Sequence, residues 1–244
     1  LRFVRQMPQL GTGHALQQAA PVLPDDGITV VLSGDVPLTQ SDTLQALIDA
    51  TQGERLALLT LEMNDPTGYG RIVRQTDGSV QAIVEHKDAS DAQRAIREIY
   101  SGIMAVPTRL LLLWLQRLTN DNAQQEYYLT DVVKFAVADG HTVVAQVLHD
   151  PVQVAGVNTP VQLAELERAY QWRRAQALMV QGVRLRDPAR LDVRGELICG
   201  RDVEIDVGCV FEGQVSLGDN VQIGAYCVLK NVTVAAGSRI DTHA

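Results

Sequence analysis

From Ile205 onward the chain repeats itself every six residues. Ile205, Phe211, Leu217, Ile223 and Leu229 stand at that interval, and four residues after each come Cys209, Val215, Val221, Cys227 and Thr233. The next step is one residue short, to Val234, and Ile240 resumes the spacing. Neither the 3.6-residue period of a helix nor the two-residue period of a flat strand yields this pattern. It is the signature of a parallel β-helix, in which each unit is one short strand and a turn and a fixed position points inward. The repeat also accounts for the cysteines. Cys209 and Cys227 occupy small inward corners, and the three cysteines crowd one late window, which is neither a secreted disulfide framework nor a metal-ligand spacing. A reducing cytoplasm is the expected setting.

The earlier part of the chain reads differently. Ile28 to Leu32 is an unbroken apolar run bounded by Gly27 and Gly34, which predicts a central strand buried on both faces of an α/β sheet. Ser33-Gly34-Asp35 stops it, so Asp35 sits at a carboxyl strand end, where open α/β sheets bind ligands. On these residues alone, Asp35 either caps the following loop or faces a ligand or metal. Gln9-Leu10-Gly11-Thr12-Gly13-His14 leads into a helix from Ala15 and offers a turn or a ligand-facing helix entry. Further helices are predicted over 41–50, 90–98, 108–118 and 126–138. Strands are predicted over 56–63, 103–106 and 142–148, with a hairpin, 71–74 and 80–84, around Asp77-Gly78. Strands alternating with helices give a parallel or mixed sheet, here carrying the hairpin as an insertion. Thr159-Pro160-Val161-Gln162 combines an N-cap, Pro at the first helical position and Gln three residues after the cap. It starts a helix of about 20 residues, long enough to act as a spacer of roughly 30 Å.

Composition narrows the function classes. The chain has 244 residues, 46% hydrophobic and 20% charged, with a net charge of −8 and no basic run. That argues against nucleic-acid binding, although an anionic nucleotide can still be held by helix N-termini and a metal. No apolar stretch reaches the ~18 residues of a membrane span. No signal peptide is visible, and the chain begins at Leu1 rather than Met.

An α/β region, a spacer helix and a hexapeptide β-helix together resemble one family. It is that of the bacterial bifunctional N-acetylglucosamine-1-phosphate uridylyltransferases / glucosamine-1-phosphate acetyltransferases. The motifs that carry the resemblance are Gln9-Leu10-Gly11-Thr12-Gly13-His14-Ala15, Gly34-Asp35-Val36-Pro37-Leu38, Asp65 to Ile72, Val84-Glu85-His86-Lys87-Asp88, Glu126 to Asp131 and Gly156-Val157-Asn158. The likeness extends into Leu185 to Pro188 and Gly200 to Ile205, in the family's order. It implies a Rossmann-like nucleotidyltransferase mixed sheet over residues 1–158, a linker helix over 159–181, and the first coils of a left-handed β-helix over 182–244. It also implies an internal fragment. Nothing ahead of Leu1 supplies the family's Gly-rich loop with its Arg and Lys, and seven hexads make little more than two coils, short of the acetyl-transfer site. The isolated chain is therefore expected to turn over UTP negligibly. His243 falls too early to be the acetyl-transfer base and is read as a solvated end residue.

The implied reaction joins UTP and N-acetylglucosamine-1-phosphate into UDP-N-acetylglucosamine and pyrophosphate. The sugar phosphate oxygen is already ionised near neutral pH, so no general base is required, and catalysis rests on alignment and charge neutralisation. By resemblance Mg2+ is held by Asp35 and Asn158, one carboxylate and one amide oxygen completed by water and phosphate. Gln6, Gly11 and Thr12 resemble the uracil-binding residues, with Ser33, Gly34 and Asp35 on the ribose-phosphate side. Gly70, Glu85 and Asn158 resemble the sugar-binding residues. Tyr100 stands where the family usually has an Asn that contacts the sugar, a departure that alters sugar-site geometry. His86 and Lys87 read as structural, and Glu126 to Asp131 as a helix start without a catalytic role. A homotrimer is expected of the full-length protein. Two alternatives stay open: a pyrophosphorylase for another sugar nucleotide, and a non-catalytic regulatory subunit on the same two domains.

Overall fold

The computed structural model describes residues 1–244. The chain divides into two compact units, Leu1–Gly156 and Val157–Ala244.

The first unit is an α/β domain around one mixed six-stranded sheet. Its elements are α1 (Thr12–Ala19), β1 (Ile28–Val31), α2 (Ser41–Thr51), β2 (Leu56–Glu62), β3 (Arg71–Arg74), β4 (Val80–Val84), α3 (Asp91–Arg94), β5 (Glu98–Pro107), α4 (Thr108–Leu115), α5 (Asp131–Ala138) and β6 (Val143–Val147). The strand order is β4-β3-β5-β2-β6, with β1 also paired to β5. β2 and β6 run parallel, while β5 is antiparallel to β1, β2 and β3. Side chains alternate across the strands and make two cores. On one face Leu56, Leu58, Ile72, Met104 and Val106 pack with Leu111, Trp114, Val132 and Val133. On the other, Ala57, Leu59, Ile99, Ile103 and Ala105 pack with Leu47. The sheet is therefore covered by helices on both faces, as a largely apolar strand set requires.

Several local expectations are corrected. β1 is half-buried along its length, and Leu32 beyond it is exposed, because the strand pairs with β5 alone rather than lying between two neighbours. The hairpin β3–β4 is no separate insertion; β3 joins the main sheet through β5. The short helix stops at Arg94, and residues 98–102 belong to β5 instead. α5 begins at Asp131, five residues later than the apolar pattern suggests, because residues 126–130 spend their backbone groups on the segment around Gly11.

The second unit is α6 (Pro160–Val180) followed by β7 (Arg184–Leu185), β8 (Asp192–Cys199), β9 (Glu204–Ile205), β10 (Val210–Leu217), β11 (Gln222–Ile223), β12 (Val228–Val234) and β13 (Arg239–Ile240). They form two all-parallel ladders, β8-β10-β12 and β7-β9-β11-β13, a β-helix of about three turns that starts at Arg184, a coil earlier than the visible repeat. Phe211 pairs with Val193 and Leu229, so one coil takes 18 residues, three hexads. Left-handed backbone recurs at the same interval: Asp202 and Asn220 at one corner, Gly213 and Asn231 at another, Gly208 and Tyr226 at a third. Gly, Asn and Asp adopt that conformation most readily. His243 extends the third corner, its ring stacked on Tyr226 with centroids 5.4 Å apart. The inward positions hold as read, with one exception. The short step falls after Lys230, so Val232 aligns with Val215 while Thr233 turns outward.

α6 carries the double capping box read from sequence, Thr159 and Gln162 bonding each other's backbone. It is not a free spacer rod. Ala175 and Leu178 enter the core of the β-helix. Gln171, buried, accepts from Val193 N at 2.8 Å and donates to Val193 O at 3.1 Å. Arg174 donates to Gly195 O at 2.8 Å. These side chains act as a strand partner for the open edge of β8, which a repeat array must cover at its end.

Candidate active site

The site residues of the first unit form a connected line. At one end Gly11 precedes α1 with φ +101, and a Cβ there would meet Tyr127 O at 2.8 Å and Glu126 Cβ at 2.9 Å. Only glycine satisfies both the conformation and the space. Tyr127 N donates to Leu10 O and Gly13 N to Tyr127 O, each at 2.8 Å, so the 126–130 segment is sewn to the Gly-Thr-Gly turn. Leu129 N also donates to Thr12 Oγ1 at 3.3 Å. Gln6 reaches the same turn, its Nε2 donating to Gly11 O at 2.9 Å.

One residue further, Thr130 Oγ1 donates to Glu85 Oε1 at 2.9 Å. Glu85 leaves β4 and is half-buried. Burial pushes its carboxyl above the usual range; the Thr130 bond works against that shift, and the nearby Asp88, Asp131 and Glu126 carboxylates add to it. Gly70 faces it from the start of β3: a Cβ there would meet Ile83 Cγ2 at 2.8 Å and stand 3.6 Å from Glu85 Oε1. Gly70 O accepts from Tyr100 N at 2.9 Å, which brings β5 into the group. A cavity of about 130 Å3 opens at Glu85, lined also by Asp88, Tyr128, Thr130 and Lys134.

Tyr100 itself is buried in the core formed with Leu111, Trp114 and Val132, and its hydroxyl has no partner. Burial first, and the Glu85 charge second, push that phenol well above its ordinary range. It stays a neutral donor.

Beyond Tyr100 the strand bulges. Thr60 pairs with Tyr100 but Leu58 with Met104, so β5 carries two extra residues there. Ser101 Oγ donates to Leu59 O at 2.7 Å and accepts from Ile103 N at 3.3 Å, filling the gap in the ladder. Gly102 takes φ +88, and a Cβ on it would stand 2.9 Å from Ser33 Oγ. A bulge beside a site re-aims the strand; this one makes room for the Ser33-Gly34-Asp35 turn, where Val36 N donates to Ser33 O at 3.3 Å.

Asp35 is exposed and its carboxylate has no hydrogen bond or ion pair within the chain. Its other neighbour is Gly156, whose added Cβ would meet Asp35 Oδ2 at 3.2 Å. An unpaired carboxylate in a space kept clear by a glycine is free to take a cation.

Gln6, Gly11, Thr12, Ser33, Gly34, Asp35, Gly70, Glu85 and Tyr100 all lie in the first unit, linked by hydrogen bonds at Gly11, Thr12, Glu85 and Gly70 and by the close approaches that Gly70 and Gly102 permit. Asn158 lies in the second unit, where its backbone N donates to Gln162 Oε1 at 2.8 Å beside the α6 cap. Thr130 was missed by sequence reasoning. It meets Glu85 across 45 positions, and no local pattern signals that. His14 was passed over too, although it belongs to the Gly-Thr-Gly-His element.

The model of the nucleotidyl transferase family matches residues 1–172. The chain is 72% identical over 248 residues to the "Bifunctional protein GlmU" of Polaromonas naphthalenivorans (strain CJ2), covering 100% of this chain and 52% of that protein. Proteins of the same name from Polaromonas sp. (strain JS666) and Acidovorax sp. (strain JS42) are 69% and 65% identical over 252 and 253 residues, again covering all of this chain, with 52% and 53% of theirs. The chain spans about half the length of these curated relatives. No helix is long and apolar enough to cross a membrane. With a mixed sheet covered on both faces, a glycine-cleared strand-end carboxylate and a family match over 172 residues, the chain belongs to the nucleotidyl transferase family.

Proposed function

We propose that the first unit transfers UMP from UTP to N-acetylglucosamine-1-phosphate, giving UDP-N-acetylglucosamine and pyrophosphate, as part of a longer bifunctional enzyme. The observation that carries this reading is the contact line from Gln6 through Gly11, Thr12, Thr130, Glu85, Gly70 and Tyr100 to Ser33 and Asp35. These residues offer one place for the base at Gln6, Gly11 and Thr12, one for the sugar at Glu85 and Gly70, and one for the phosphates at Ser33, Gly34 and Asp35.

Mg2+ fits the donor chemistry. Asp35 supplies a hard, unpaired carboxylate beside Gly156, and by the family resemblance Asn158 would supply an amide oxygen. When bound, the cation neutralises phosphate charge. The chain's own residues do the rest. Gln6, Gly11 and Thr12 hold the base. Ser33 and Gly34 let the phosphates approach the backbone, and Glu85 and Gly70 orient the sugar so that its phosphate oxygen lines up for attack. No side chain needs to remove a proton from an already ionised phosphate.

The second unit is proposed to open the acetyltransferase β-helix, through which the complete protein associates as a homotrimer. The substrates and relatives fit a bacterial cytoplasm. The test is an assay of the complete natural chain with UTP, N-acetylglucosamine-1-phosphate and Mg2+, reading pyrophosphate and the nucleotide sugar by mass. Both products are expected. Pyrophosphate from another sugar phosphate only, or none at all, overturns the reading.

A further inference from the structure

Gln6 is held by more than the turn. Its Nε2 lies 2.9 Å from Gly11 O and 3.2 Å from His14 Nδ1. A carbonyl only accepts, so the atom between them is the amide nitrogen, and both of its N–H groups are spent. An amide nitrogen only donates, so His14 Nδ1 carries no proton, and the ring's proton sits on Nε2. Gln18 Nε2 stands 3.1 Å from that Nε2, and two amide nitrogens cannot both donate to one neutral imidazole. Because Gly11 O fixes the Gln6 amide, it is the Gln18 amide that must turn, so that its oxygen accepts from the ring N–H. The ring is further held against Tyr127, with centroids 6.0 Å apart. Gln6 Oε1 is left as the free polar atom of its amide.

We propose that His14 is a positioning residue that fixes the Gln6 amide with only its oxygen presented, and so sets base choice. This rests on the uridylyltransferase reading above. An acceptor-only group meets the N3–H of uracil. Against cytosine, whose N3 is itself an acceptor, it sets two lone pairs face to face. A freely rotating Gln would offer its N–H to cytosine equally well; the Gly11 and His14 acceptors remove that option. Sites that leave a buried polar group mispaired reject the wrong partner far more strongly than apolar pockets do.

The test uses the complete natural chain, with KM and kcat measured for UTP and CTP in the wild type, His14→Leu, His14→Asn, Gln6→Leu and the double Gln6→Leu/His14→Leu. Asn places a carbonyl oxygen near the Nδ1 position and keeps the acceptor. His14→Leu is expected to raise the UTP KM about tenfold and lower the UTP-over-CTP preference at least about tenfold, with kcat and the sugar phosphate KM little changed. His14→Asn should recover most of both. The double variant should be no worse than Gln6→Leu, since the two act as one unit. Unchanged preference in folded His14→Leu overturns the proposal, as does equal loss in His14→Leu and His14→Asn. If His14→Leu fails to fold, His14→Asn and Gln6→Leu still decide it: loss of preference in Asn to the level of Gln6→Leu overturns it. A wild type that consumes no UTP sinks the uridylyltransferase reading itself. A wild type that consumes UTP with no effect at His14 sinks this inference alone.

Discussion

The hydroxyl of Thr130 donates to the Glu85 carboxylate at 2.9 Å and is its direct hydrogen-bond partner among the side chains. Because burial raises the Glu85 pKa, the folded state holds that proton more tightly than the unfolded chain. The associated stability is full below the ordinary Glu range and is lost as pH rises through the folded value. Glu85→Gln should therefore be more stable than wild type at neutral pH and equal to it in acid, while raising the sugar phosphate KM about tenfold. Thermal melts across pH, with sugar phosphate titrations, check both halves. A variant less stable at neutral pH contradicts the assignment.

Tyr100 gives a related expectation. Its buried hydroxyl has no partner, and an unmet buried donor costs about 1–3 kcal/mol. Tyr100→Phe removes the cost and keeps the ring, so it should stabilise the fold by about 1 kcal/mol. Chemical denaturation reads the difference.

Gly102 supports Ser33 by having no side chain. Gly102→Ala adds a Cβ at 2.9 Å from Ser33 Oγ and places Ala at φ +88. A loss of about 1–3 kcal/mol is expected from the backbone conformation alone, with nucleotidyl transfer reduced further because the Ser33-Gly34-Asp35 turn is pushed aside. Restored activity at low temperature, where the fold is safe, would contradict the second part.

Gln171 closes the edge of β8 with one amide. Gln171→Leu leaves Val193 N and O without those bonds. Two stranded backbone groups cost about 2–6 kcal/mol together, and the effect should fall on the second unit while the first stays folded. Hydrogen exchange at Val193 and its neighbours reads it directly.

Much of this was legible before any coordinates. The hexads of residues 205–240 are dictated by what points inward, so Phe211, Val215, Val221 and Cys227 are buried where the period puts them. The short step was visible, but which residue yielded was not: register with the previous coil selects Val232 over Thr233. Hairpin and cap came through because Asp77-Gly78 and Thr159–Gln162 act locally. The run at Ile28 misled because apolar content does not count pairing partners, and β1 has one. Residues 126–130 misled for the opposite reason; their helix propensity yields to bonds with Leu10, Thr12 and Gly13. Thr130 and His14 both lie inside motifs read as a helix start and a turn, and their bonds to Glu85 and Gln6 come from tertiary contacts that no spacing announces.

Asp35 is where the account is most exposed. Asp35→Asn keeps size and polarity at a surface turn, so the complete chain should fold with an unchanged melt. It should lose Mg2+-dependent formation of pyrophosphate from UTP and N-acetylglucosamine-1-phosphate by at least about 10²-fold. Transfer at the wild-type rate, with the same Mg2+ dependence, would contradict it.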